Sequence, residues 1–150
     1  MALFNKILFP VDLSDASVKV CPYVKEMADK FSSEIHIVFV VHVTHYYSNL
    51  DLSAAYVGNF EPEIFKGAEK KFQEFVNVHF KNMPVRTKIL VGRPGDEIVN
   101  YARAEGINLV IMGHSSTGIE RAIFGSVAAY VVKYSPVPVM VVSPTVIKKK

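Results

Sequence analysis

An open parallel β-sheet covered by helices on both faces is the fold class that this sequence predicts, and two observations predict it. Strand-length apolar runs alternate with segments of helical period from end to end, with no linker or internal repeat. Several of those runs are nearly continuous in Val, Ile and Leu, the pattern of strands covered on both faces. The resulting order is β-α-β-α-β-α-β-α-β. Sheets of this kind bind ligands beyond the C-terminal ends of their strands, where the strand order reverses.

The elements follow in order. Leu3 to Phe9 is an apolar run closed by Pro10 and reads as the first strand. Ser14 offers a helix N-cap, after which Ala16, Val20, Tyr23, Val24, Met27 and Phe31 recur at helical spacing. Pro22 lies inside that pattern and predicts a kink or an uneven start. Ile35 to Val43 is the second strand. A polar and aromatic stretch, His45 to Phe60, reads as a loop or lid. The next helix buries Ile64, Phe65, Ala68, Phe72, Phe75, Val76 and Phe80 on one face and carries charged residues on the other. Val85 to Val91 is the third strand, ended by Gly92-Arg93-Pro94-Gly95, and Asp96 to Ala104 is a short helix. Ile107 to Met112 is the fourth strand. A loop from Gly113 to Gly118 leads to a helix reaching Tyr134, and Pro136-Val137-Pro138 precedes the last strand, Val139 to Val142.

Composition narrows the function. The 150 residues are 50% hydrophobic and 21% charged, as in globular proteins, and suit one domain. The formal charge of +3 resides in Lys148, Lys149 and Lys150, so the body is balanced. A balanced body with a basic tail is not the footprint of a nucleic-acid binder. Cys21 is the only cysteine, which excludes an intrachain disulfide and a Cys-based zinc cluster. The apolar N-terminal run is too short to span a membrane and lacks a cleavage-like region. A soluble cytoplasmic protein is expected.

The chemistry concentrates after the fourth strand, in Gly113-His114-Ser115-Ser116-Thr117-Gly118 and then Gly125-Ser126-Val127. Small residues let backbone N–H groups approach an anion, and a Gly-Ser pair at a helix start offers free amides and a hydroxyl to a phosphate. The same glycines would also serve a tight strand-to-helix connection, and spacing alone leaves both roles open. No Walker Gly-Lys-Ser/Thr is present, and the glycine spacing is not that of a dinucleotide fingerprint.

Four segments together resemble the universal stress protein (UspA-like) family. They are Lys6-Ile7-Leu8-Phe9-Pro10-Val11-Asp12, Val91-Gly92-Arg93-Pro94 with Ile98 and Ala102, Met112-Gly113 through Ser126-Val127, and Pro136-Val137-Pro138-Val139-Met140-Val141-Val142. The resemblance runs along nearly the whole chain. It implies a five-stranded parallel sheet of order 3-2-1-4-5, adenine nucleotide α-hydrolase-like, and a homodimer formed through the C-terminal strand. It also implies ATP, AMP or ADP as ligand, with or without Mg²⁺ or Mn²⁺.

By the same resemblance Pro10, Val11 and Asp12 lie beside the adenosine and Val40 backs the adenine. Gly113, His114, Ser115, Ser116, Thr117 and Gly118 wrap the phosphates with Gly125, Ser126 and Val127. The family's ATP-binding pattern is G-x2-G-x9-G-S/T; here Ser115 stands at the middle glycine and the loop is one residue shorter. Asp12 has a rival role as a polar cap at the strand–helix junction.

No strong general base accompanies these residues, so slow hydrolysis or none is expected, with ATP acting as an occupancy signal. The alternative is a family member that does not bind nucleotide and works through homodimerisation and protein contacts. A third is a hydrolase using His114 and a divalent ion. His42 and His45 could form half of a metal site, but no carboxylate is near them in sequence. Arg121 reads as a surface residue and Cys21 as packing.

Overall fold

The structure, a computed structural model, describes residues 3–42, 54–114 and 125–143, with side chains from residue 65 onward in the segment that begins at 54. Among these residues five strands and four helices alternate: β1 (Lys6–Val11), α1 (Asp15–Phe31), β2 (Glu34–Val41), α2 (Ala54–His79), β3 (Val85–Val91), α3 (Pro94–Ala104), β4 (Leu109–Gly113), α4 (Ser126–Tyr134) and β5 (Val139–Val142). The strands form one parallel sheet of order β3-β2-β1-β4-β5.

Period-2 alternation explains why both faces are covered. From β1, Ile7, Phe9 and Val11 point into a core with Val20, Cys21 and Val24 of α1 and with Phe72, Phe75 and Val76 of α2. Leu8 points the other way, into a second core with Ile98 and Ala102 of α3 and Ala128 and Val131 of α4. Burial raises the Cys21 thiol pKa to about 11, and the thiol donates to the Ser17 carbonyl at 3.5 Å. Cys21 is packing, as its apolar neighbours predict.

Several boundaries differ from the sequence reading. Leu3 is 77% exposed and outside β1, whereas Pro10 is inside it. A proline in a central strand needs a place where its missing N–H is not required, and β1 supplies one. The Asn5 carbonyl accepts from Glu34 of β2, and the Lys6 carbonyl accepts from Asn108, which precedes β4. Alternation therefore turns residue 10, like residue 6, toward β4. Pairing of β1 with β4 stops at Leu8 and Val110, while pairing with β2 continues to Val11 and Phe39. The sheet parts where Pro10 would have donated.

Pro22 does not end α1, which runs through it with the ring on the exposed side. Helix α2 begins at Ala54, so Gly58 and Asn59 are helical rather than part of a loop reaching Phe60. A mid-helix glycine costs about 1 kcal/mol, which a 26-residue helix absorbs. Helix α3 begins at Pro94, ahead of the expected Asp96, because proline fits the first helical turn. Strand β4 starts at Leu109 because Asn108 is engaged otherwise: its side-chain oxygen accepts from the Lys6 amide at 2.7 Å.

At the N-terminal end of the sheet, His36 is buried with Nδ1 2.7 Å from the Tyr101 hydroxyl and Nε2 3.4 Å from Glu34. Burial lowers its pKa, opposed by the Glu34 carboxylate and assisted by Lys6 and Arg86; Glu105 acts with Glu34. The native state thus refuses a proton that the unfolded chain accepts near pH 6.5. Stability is full above that pH and falls as pH drops toward the native pKa, by at most about 1.4 kcal/mol per pH unit. Urea unfolding of wild type and His36→Gln between pH 7.5 and 5 checks this. The wild type should lose stability more steeply, and parallel curves would contradict the assignment.

Candidate functional site

The parting of β1 from β4 opens a cleft at the C-terminal strand ends, where the sheet order reverses from β2 to β4 across β1. Counting the solvent at its mouth, the unfilled space is ≈ 680 Å³. Pro10, Val11 and Asp12 from β1 and the turn after it line one part, with Phe39 and Val40 from β2 beside them. Met112 and Gly113 of β4 and Val127 and Ala128 of α4 line another. The register carried past Leu8 and Val110 would set Pro10 against Met112 and Val11 against Gly113, so the cleft occupies the missing rungs.

Asp12 is fixed by its own turn. Its Oδ1 accepts from the Ser14 amide at 3.0 Å, the Ser14 hydroxyl at 2.5 Å and the Ser17 hydroxyl at 2.8 Å. Ser17 Oγ in turn accepts from the Asp12 amide at 3.0 Å. These bonds hold Leu13 in the left-handed region, φ 66°, which costs a non-glycine residue about 1 kcal/mol or more. Ser14 caps α1 by accepting from the Ser17 amide. The cap role of Asp12 is therefore present, and all of its bonds fall on Oδ1, leaving the exposed carboxylate's Oδ2 outside that network.

Gly113 is required by packing. A Cβ there would stand 2.9 Å from Val20 Cγ2, so α1 lies against β4 only because the side chain is absent. On the other side, Gly125 precedes α4 without any side-chain cap, and Ser126 is exposed at the helix start. The cleft thus carries an apolar floor, one braced carboxylate and an uncapped helix start.

Of the residues singled out from the sequence, Pro10, Val11, Asp12, Val40, Gly113 and Val127 line this cleft. Gly125 is buried beside it in sequence, and Ser126 lines an adjoining hollow. His114, read as a loop residue near the phosphates, is buried and is not among the residues lining the cleft. Ser115, Ser116, Thr117, Gly118 and Arg121 lie outside the described residues, as do Thr44, His45, Tyr46, Tyr47 and the Lys148–Lys150 tail. Phe39, Ser17, Pro94 and Ile98 also line the cleft; the sequence marks Pro94 and Ile98 only as part of the family resemblance and assigns none of the four to the site. Ser17 had a legible signal, three residues after the Ser14 cap; the others are ordinary apolar residues until the fold brings them together.

Residues 3–143 match the description Universal stress protein family. The chain belongs to that family. It is 30% identical over 146 residues to Universal stress protein MJ0531 of Methanocaldococcus jannaschii, covering 93% of this chain and 82% of that one. The structure of MJ0577 from the same organism superposes with a TM-score of 0.80 at 26% identity, covering 94% and 96% of the two chains. A universal stress protein from Archaeoglobus fulgidus, solved in complex with dAMP, shares the fold with a TM-score of 0.67 at 20% identity over 93% and 98%. Among the described residues of this universal stress protein, no helix is long and apolar enough to cross a membrane.

Proposed function

We propose that this universal stress protein binds ATP or a related adenine nucleotide in the cleft and acts as a cytoplasmic occupancy sensor, hydrolysing it slowly or not at all. One observation carries the reading. Pro10, Asp12, Val40, Gly113 and Val127, far apart in sequence, meet in one apolar-floored cleft at the switch point of a parallel sheet. A protein of this fold holds dAMP. In this reading Asp12 Oδ2 accepts from ribose hydroxyls, Val40 and Phe39 pack on the base, and Gly113, Gly125 and Ser126 face the phosphates.

In the same reading Ser115, Ser116, Thr117 and Gly118 supply further phosphate contacts. Mg²⁺ or Mn²⁺, where present, is carried by the phosphates; no group of three or more His, Cys, Asp or Glu among the described residues suits a metal. Asp12, whose Oδ1 already accepts three hydrogen bonds, is built to position rather than to abstract a proton.

A second reading has its own observation. Strand β5 is one edge of the sheet, and its Val139, Met140 and Val141 are only half-buried. Pairing with a second copy through this strand would cover it and give a homodimer, whether or not nucleotide binds.

Native mass spectrometry of protein purified without added nucleotide, followed by acid release and chromatography, tests the first reading. Adenine nucleotide is expected in the eluate. Asp12→Asn keeps an acceptor for Ser14 and Ser17 but removes the charge, so it should weaken titrated ATP about tenfold with a small change in melting temperature. Protein that carries no adenine nucleotide and binds none at millimolar concentration would leave the dimer reading alone standing.

A further inference from the structure

The cleft continues past Pro94 and Val127, which border both it and a second hollow of ≈ 950 Å³. His42, Arg93, Gly95, Asp96, Ser126 and Tyr130 complete the walls of that hollow. Among the described residues its permanent cation is Arg93, which precedes α3 on the turn after β3 and is thus independent of the glycine-rich segment.

Arg93 is held only loosely by Asp96, its ion-pair partner among the described residues. Its side chain is 76% exposed, and the nearest carboxylate contact, Nη1 to Asp96 Oδ2, is 3.8 Å, beyond hydrogen-bond range. The Asp96 carboxylate is occupied from another side, since Tyr130 donates its hydroxyl to Oδ1. That pairing raises the Tyr130 pKa and keeps the hydroxyl protonated. It is also built into the packing: Gly95 lacks a Cβ that would stand 2.6 Å from the Tyr130 ring, so α4 can lay Tyr130 against the start of α3. The hollow therefore holds a guanidinium that is loosely ion-paired with Asp96 and has no hydrogen bond among the described residues, the Asp96 carboxylate itself, an imidazole at His42, and the Ser126 hydroxyl at the border with the cleft.

The geometry points to this hollow as the seat of the anionic tail of a nucleotide with two or more phosphates, with Arg93 the residue that distinguishes such a tail from a monophosphate. The inference rests on the adenine-nucleotide reading of the cleft. A nucleoside lying between Asp12 and Val40 brings its first phosphate to the Val127 and Ser126 border, and a monophosphate ends there. Further phosphates cross that border and meet Arg93, whose planar fork matches phosphate oxygens. A contact from the β3–α3 turn compensates for a loop that is one residue short and has Ser115 at the glycine position.

The test is calorimetric titration of the full chain with AMP and with ATP at constant ionic strength, for wild type, Arg93→Gln and Arg93→Lys. An exposed arginine can be replaced without unfolding the protein, and far-UV circular dichroism verifies this. ATP should bind wild type more tightly than AMP. Arg93→Gln should weaken ATP about tenfold and leave AMP within twofold, with Arg93→Lys between the two. Equal weakening of both ligands, or of neither, overturns the assignment of Arg93 while leaving the cleft reading intact. Failure of wild type to bind either ligand overturns the cleft reading and this inference with it.

Discussion

Replacing Phe9 by alanine should lower the unfolding free energy by about 3–5 kcal/mol, a large fraction of the stability of a domain this size. Phe9 is fully buried in the middle strand, and its ring lies 6.4 Å from that of Phe75 and 6.0 Å from that of Phe80. Removing it costs the transfer of the ring from water and leaves a void bordered by a sheet and a helix, neither of which can collapse freely. Urea titration reads the effect as a lower midpoint with an unchanged slope. A loss below about 1.5 kcal/mol would mean that the aromatic cluster is loosely packed, contrary to the burial described above.

The second large effect is expected at Gly113, where stability and binding should fall together. In Gly113→Val the new Cβ meets Val20 Cγ2 at 2.9 Å, and two further methyls must find room between β4 and α1. Overpacking of this kind costs about 1–3 kcal/mol. Because Gly113 also lines the cleft, the displaced strand end should abolish the proposed nucleotide binding under conditions where the variant is still folded. Gly113→Ala combined with Val20→Ala separates the two roles. Relieving the clash should restore part of the stability lost in Gly113→Ala alone, as measured by thermal melting. Additive losses in the double variant would show that Val20 is not the obstacle.

Much of the fold was legible because one rule, alternation of apolar strand runs with helical segments, held throughout. The runs around Ile7, Ile37, Leu90, Ile111 and Met140 all became strands. Their lateral order was not legible from periodicity, since nothing in a buried strand names its neighbour; it came from the family resemblance. The start of α2 was obscured by Gly58 and Asn59, turn residues that a long helix tolerates. Pro10 misled for the opposite reason, because a proline that looks like a terminator stands where one neighbour has already departed.

For the site, the chemically marked residues Asp12 and Gly113 were visible in one dimension. Phe39, Pro94 and Ile98 were not, since an apolar wall acquires meaning only from what it faces. The hollow at His42, Arg93 and Tyr130 was hidden for the same reason: three separate elements meet there.

Pro10 has a consequence for the seam between β1 and β4. A sheet with two adjacent unsatisfied strand edges would tend to zip shut, rung by rung, until the notch between them healed. With an imide nitrogen in place of a donor, β1 has no N–H to offer at the next rung and keeps only the Pro10 carbonyl, so the seam lacks one of the bonds that would fasten it. The notch is thus written into the chain itself, and closing it would gain fewer hydrogen bonds than closing an ordinary pair of strands.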